Sequence, residues 1–222
     1  MTIEEQELMQ KLLLTIQRAI EQESINKRTR CLLLKTQQAI EQELIEQELL
    51  KKSERIDELK KAAESGDAEA NFNIGQMYDR GIGVSKKDEK EAFKWFLKAA
   101  ELGYAKAQHK VALCFYYGRI GMPPQNFVET FKWFRKAAEQ GLSDSQCCLG
   151  IMYLEGKGVS KDEKEAFKWF LKSAELGCAD GMIKVGKMYA GGIGVSKDEK
   201  EALKWCDEGF FLKRFDITVP RL

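Results

Sequence analysis

The chain has 222 residues, and its 36 Lys and Arg stand against 35 Asp and Glu, with the two signs interleaved along the sequence. That balance lacks the electrostatic footprint of a nucleic-acid or membrane-surface binder, so neither is expected as a partner. The longest apolar runs, such as Leu12 to Leu14, fall far short of the roughly 20 residues that span a bilayer, and the acidic start MTIEEQELMQ is not a secretory signal. A cytoplasmic location is the expectation.

The first 65 residues contain no Gly and no Pro and are dense in Leu, Glu, Gln, Lys and Ile, a composition that favours long helices. Within residues 1–53, which read as an N-terminal helical arm, LLLTIQRAIEQE (Leu12 to Glu23) recurs as LLLKTQQAIEQE (Leu32 to Glu43) after 20 residues. Leu13, Ile16 and Ile20, then Leu33, Ile40 and Leu44, fall on one helical stripe in each copy. A break at SINKRTR (Ser24 to Arg30) would fold the arm into a hairpin; without it the arm is one rod. Ile45, Leu49, Ile56, Leu59 and Ala63 continue at near-heptad spacing, so the arm reads either as a self-associating coiled coil or as a cap on the repeats C-terminal to it. Residues 54–66, ERIDELKKAAESG, align with EAFKWFLKAAELG (Glu91 to Gly103) and read as a degenerate leading half-repeat, with Glu58 in place of a tryptophan.

From residue 67 the chain is periodic. FKWFLKAAELG (Phe93 to Gly103) returns as FKWFRKAAEQG (Phe131 to Gly141) and FKWFLKSAELG (Phe167 to Gly177), and Trp95, Trp133, Trp169 and Trp205 lie 38, 36 and 36 residues apart. A fixed period of that length marks a solenoid. Small residues at Ala70, Ala107, Ser145 and Gly181, aliphatic ones at Ile74, Val111, Leu149 and Val185, and the series Gly75, Ala112, Gly150 and Gly186 share one stripe of a first helix in each repeat, helix A. A two-glycine turn comes next, as in Gly156 and Gly158 or Gly192 and Gly194, and a second helix, B, then carries the tryptophan block. Ser160 with Glu163, or Asp162 with Glu165, has the spacing of a capping box, and Ser196 with Glu199 repeats it. The second repeat differs, with MPPQNFVET (Met122 to Thr130) in the turn. Residues 210–222 depart from the repeat and form a hydrophobic tail in which Phe210, Phe211, Leu212 and Phe215 could fold back as a terminal cap.

With LG-x-x-Y, G-x-GV, D-x-x-x-A and W-F-x-KAAE-x-G in register, residues 67–209 resemble Sel1-like repeats, a tetratricopeptide-related family. The resemblance implies an all-α fold, an α/α superhelical solenoid of about four repeats, here preceded by the helical arm or hairpin. It also implies a protein-interaction scaffold or adaptor without catalytic activity, binding a protein or peptide on the concave face lined by helix A. By that analogy the candidate partner-binding residues are Phe72, Gln76, His109, Leu113, Tyr116, Cys147, Ile151, Leu154 and Lys187, with an apolar groove centred on Leu113, Tyr116, Ile151 and Leu154. The lysines beside each tryptophan read as a solvated face supported by neighbouring glutamates.

No catalytic, cofactor or metal residues are assigned. The only histidine is His109, and the six cysteines, at positions 31, 114, 147, 148, 178 and 206, recur at no common place in the repeats and read as free thiols. The alternative is a regulatory subunit or weak hydrolase-type member of the family, for which a dyad of His109 and Cys147, at equivalent places in adjacent repeats, is the one arrangement available. Cysteine-rich relatives linked to β-lactam binding or hydrolysis carry regular cysteine pairs that this chain lacks.

Overall fold

A computed structural model of the chain describes residues 3–21, 27–82, 84, 86–118 and 123–215. Among the described residues there are ten helices and no strand. They are α1 (Ile3–Glu21), α2 (Lys27–Glu64), α3 (Ala68–Arg80), α4 (Glu89–Glu101), α5 (Ala105–Tyr117), α6 (Phe127–Glu139), α7 (Ser143–Glu155), α8 (Glu163–Glu175), α9 (Ala179–Gly191) and α10 (Glu199–Phe215). The chain divides into two compact units, Met1–Glu58 and Leu59–Leu222.

The first unit is an antiparallel hairpin of α1 and α2. Lys51 Nζ donates to Gln6 Oε1 at 2.8 Å, which sets the start of α1 beside the middle of α2. Ile16 and Ile40 are buried, and Leu13, Ile20, Leu33 and Leu44 are half-buried around them, so the stripe expected from the duplication is the one that packs. Of the expected break at Ser24–Arg30, residues 22–26 lie outside the described residues, while α2 already begins at Lys27.

In the second unit each repeat is a pair of helices, and α3 to α9 are all 13 residues long. The helix A members α3, α5, α7 and α9 each end at a glycine in the left-handed region. Helix B starts on an acid or amide: Asp88, Asn126, Asp162 and Asp198 each accept from backbone N–H groups of the first turn. This settles the capping register in favour of Asp162. Ser196 with Glu199 does not cap, because α10 begins at Glu199 and its orphan donors at Lys200 and Glu201 are taken by Asp198.

The block FKWF supplies two different contacts. Its second phenylalanine lies across helix A of the same repeat: a Cβ placed on Gly75 would stand 2.6 Å from the Phe96 ring, and one on Gly150 would stand 2.8 Å from the Phe170 ring. Small residues at those positions are what let the ring lie flat on the neighbouring helix. The first phenylalanine reaches the next repeat, making edge-on contacts Phe93 to Phe115, Phe131 to Tyr153 and Phe167 to Tyr189 at 6.0, 5.3 and 5.2 Å between centroids.

Successive helix pairs are also joined by a buried hydrogen bond from a side-chain amide, which the sequence pattern did not reveal. Asn71 Nδ2, Gln108 Nε2 and Gln146 Nε2 donate to the carbonyls of Ala63, Ala100 and Ala138, each in the last turn of the preceding helix. The last turns of α2 thus meet α3 as α4 meets α5, with Leu59, Ala62 and Ala63 packed against Ala70 and Ile74. In the fourth repeat the position holds Met182, which is buried. Gln140 Nε2 donates to Gln108 Oε1 at 2.8 Å, whereas Leu176 takes the place of Gln140 one repeat later and leaves the buried Gln146 Oε1 without a partner.

The first three tryptophans are each half-buried under a lysine three residues on: Lys98, Lys136 and Lys172 stand 4.4, 4.3 and 4.2 Å from the ring centroids of Trp95, Trp133 and Trp169. The other lysine of each block pairs with a glutamate one turn back, as in Lys94 with Glu91 and Lys132 with Glu129, at 2.7 Å. At the C-terminal end Leu212 is buried against the fourth repeat, whereas Phe210 and Phe211 are exposed; residues 216–222 lie outside the described residues.

Candidate interaction surface

Helix A presents the candidate residues in two classes. The position two after the small residue of each helix A holds Phe72, His109, Cys147 and Ile183; the first three point along the stack to the start of the next repeat, and Ile183 lies against Gly209 of α10. Phe72 is 6% exposed, with its ring 5.5 Å from Phe96 and 5.1 Å from Tyr104. Cys147 is 7% exposed, packed in the cluster of Phe170, Met182, Val185 and Met188. These two are core residues and are not presented to a partner, a correction to their reading as groove residues. The remaining candidates retain exposure: Gln76, His109, Leu113, Tyr116, Ile151 and Leu154 are half-buried, and Lys187 is exposed.

Leu113 lines a cleft of about 170 Å³ between the first and second repeats. Ala92, Phe96 and Tyr117 give it apolar walls, and Asp79, Glu89 and Lys110 give it charge. Tyr116 lies outside that lining, edge-on to Phe127 and Tyr117, and its hydroxyl accepts from Lys157 Nζ of the next repeat at 3.1 Å. Ile151 and Leu154 pack on the Cys147 cluster, toward the fourth repeat. The four residues expected to share one groove therefore occupy successive intervals of the stack.

The histidine and cysteine do not pair. His109 Nδ1 is hydrogen-bonded to Ser145 Oγ at 2.8 Å and its ring lies 5.3 Å from Phe134, and burial holds its pKa below the usual value. Cys147 instead meets Cys178, at the N-cap of α9. The Cys147 thiol, with Ser173 and the Gly181 N–H, stabilises the Cys178 thiolate and lowers its pKa to about 6, while Cys147 is pushed up by the same contact and by burial. Burial raises Cys148 to about 12. The activated thiol is Cys178, a residue the sequence reading left as structural. Iodoacetamide should therefore alkylate Cys178 with a rate that rises with pH and is half-maximal near pH 6, and Cys147→Ala should move that midpoint upward. Peptide mass spectrometry across a pH series measures both; a Cys178 midpoint in the ordinary thiol range would contradict the arrangement.

Among the described residues no group of three or more His, Cys, Asp and Glu converges as a metal site, and no helix is long and apolar enough to cross a membrane. The family model for the Sel1 repeat matches residues 68–104, 105–142, 143–178 and 179–208. Among solved structures, a protective antigen of uropathogenic Escherichia coli with an SLR fold is 38% identical with a TM-score of 0.66, over 70% of this chain and 33% of that one. A Sel1 repeat protein from Oxalobacter formigenes is 34% identical with a TM-score of 0.65, over 70% and 63% of the respective chains. Among curated proteins, an F-box protein of Arabidopsis thaliana is 35% identical over 81 residues, which are 36% of this chain and 22% of that protein.

Proposed function

This chain belongs to the Sel1 repeat family, whose members generally serve as protein–protein interaction scaffolds, and on that premise we propose that it is a non-catalytic adaptor that binds an extended or helical peptide along its helix A faces. The observation that carries the reading is the cleft at Leu113. It offers apolar walls at Ala92, Phe96 and Tyr117 for one side chain of a partner, and both signs of charge at Asp79, Glu89 and Lys110 for the peptide beside it. Desolvating one aliphatic side chain there contributes about 1.5 to 3 kcal/mol before ordering costs, so several such contacts make a moderate-affinity partner. Gln76, His109, Tyr116, Ile151, Leu154 and Lys187 extend the surface to the neighbouring intervals. Residues 59–66 serve as the N-terminal cap of the array in this reading, and Leu212 closes part of the other end.

The test is selection of peptide ligands from a displayed random library against the full chain, followed by titration. Leu113→Glu puts a charge on the cleft wall and should weaken the selected peptides at least tenfold, about 1.4 kcal/mol; Ile151→Glu should weaken those that reach the third repeat. Peptides whose affinity is unchanged by both substitutions, in variants with unchanged helical content, would remove the helix A face as the binding surface.

A further inference from the structure

The stack opposes one pair of positions across an interval: the residue two after the small residue of helix A, and the residue that follows the closing glycine of the same repeat's helix B. In the first interval these are Phe72 and Tyr104, whose rings lie 5.1 Å apart. In the third they are Cys147 of α7 and Cys178 at the N-cap of α9, and the two side chains are hydrogen-bonded to each other. Neither is in a disulfide. The joint they span, between the third and fourth repeats, is also the one where buried Met182 stands in place of an amide donor.

The two sulfurs differ in access and in charge. Cys147 is 7% exposed, packed among Phe170, Met182, Val185 and Met188, whereas Cys178 is half-buried, so a small solute reaches Cys178 first. As the N-cap residue, Cys178 stands at the positive end of the α9 dipole, which favours an anion. Lys213 of α10, held at 2.7 Å from Asp180, brings a cation within electrostatic reach of both sulfurs, and Asp144 of α7 opposes the anion. The contact with Cys147 outweighs that opposition and lowers the Cys178 pKa to about 6. Cys148 is next to Cys147 in the chain but packs elsewhere, on the cluster of Ala112, Phe134 and Met152.

We propose that Cys178 and Cys147 are a peroxide-reactive thiol pair, with Cys178 the nucleophile and Cys147 the resolving thiol, whose disulfide closes the joint between the third and fourth repeats. The Cys178 thiolate attacks one oxygen of hydrogen peroxide; the S–O bond forms, the O–O bond breaks, and the second oxygen leaves as hydroxide, so that sulfur is oxidised to the sulfenic acid and peroxide is reduced. Cys147 is held protonated chiefly by its contact with the thiolate, a constraint that ends once Cys178 is oxidised. Its sulfur then displaces the sulfenic oxygen; the S–S bond forms, the S–O bond breaks, and the oxygen leaves as water with the Cys147 proton. Added dithiol reverses the bond by exchange. None of this depends on where the array binds a peptide.

Hydrogen peroxide titrated into the reduced full chain, followed by non-reducing peptide mapping, tests it. Wild type should lose two hydrogens and yield a peptide linked through Cys147 and Cys178, which dithiothreitol separates. Cys147→Ser keeps the nucleophile and should stop at the sulfenic acid, trapped by dimedone at residue 178, while Cys178→Ser should slow oxidation roughly tenfold or more and give no linked peptide. Cys148→Ser should behave as wild type, and circular dichroism should show equal helical content in all three variants. Oxidised wild type should melt several degrees above the reduced form, and Cys178→Ser should melt alike with and without peroxide. A map that links Cys148 or Cys114 instead, or dimedone on residues other than 178, overturns the proposal. A melting temperature that does not rise on oxidation overturns the closing of the joint.

Discussion

Gly158→Ala should destabilise the array by about 3 kcal/mol, roughly twice as much as the same substitution at Gly141. Both glycines have positive φ, +71° and +87°, and for a residue with a Cβ that conformation costs roughly 1 to 2 kcal/mol. Their surroundings differ. A Cβ on Gly141 meets nothing within 4 Å, whereas one on Gly158 would stand 2.1 Å from the Phe127 carbonyl oxygen. That obstacle is backbone at the first turn of α6 and cannot rotate away, so the turn must lift off the preceding repeat, adding roughly 1 to 3 kcal/mol. Gly194 makes the same approach, 2.1 Å from the Glu163 carbonyl oxygen in the next interval. The second glycine of the turn is thus a point where one repeat seats on another as well as a point where the chain reverses. Urea denaturation of the two variants beside wild type measures the difference; equal costs would mean that backbone conformation alone required glycine at 158.

Phe170→Ala should be the most damaging single change of side chain, at about 3 to 5 kcal/mol. Its ring is fully buried, and it fills the space that Gly150 leaves on α7. Removing the ring opens a cavity that rigid helices on both sides cannot collapse into. Since stability in a solenoid passes through nearest-neighbour contacts, a defect in the third repeat weakens both of its intervals, and the melting transition should broaden as well as shift. Leu203→Ala provides the comparison: the residue is 65% exposed on α10 and its truncation should cost under about 0.5 kcal/mol. Thermal melts followed at 222 nm compare the two, and similar shifts would show that the FKWF block does not hold the stack together.

The fold was legible because its causes are local and repeated. Small residues at fixed offsets, glycines after each helix and the tryptophan block each recur in register, so the helix pairs could be drawn from spacing alone. The capping register was ambiguous because Ser160 and Asp162 both precede an acid by three residues; the start of α8 at Glu163 decides for Asp162. The candidate surface was legible only in part. Phe72 and Cys147 sit between core positions in the helical pattern, but that side of helix A faces the following repeat, and a pattern within one helix carries no information about its neighbour. The same limit hid Cys178, 31 residues from Cys147, whose thiolate is stabilised by groups of α7, α8 and α9.

The side-chain amide hydrogen bonds set the angle at which one repeat meets the next. Where Asn71, Gln108 and Gln146 each hold a carbonyl of the preceding helix, the joint has a preferred angle, because a hydrogen bond is directional. At the last joint Met182 offers contact without direction. The side-chain amide contribution to the joints is therefore uneven along the array, and at the last joint the directional contact is the one between Cys147 and Cys178.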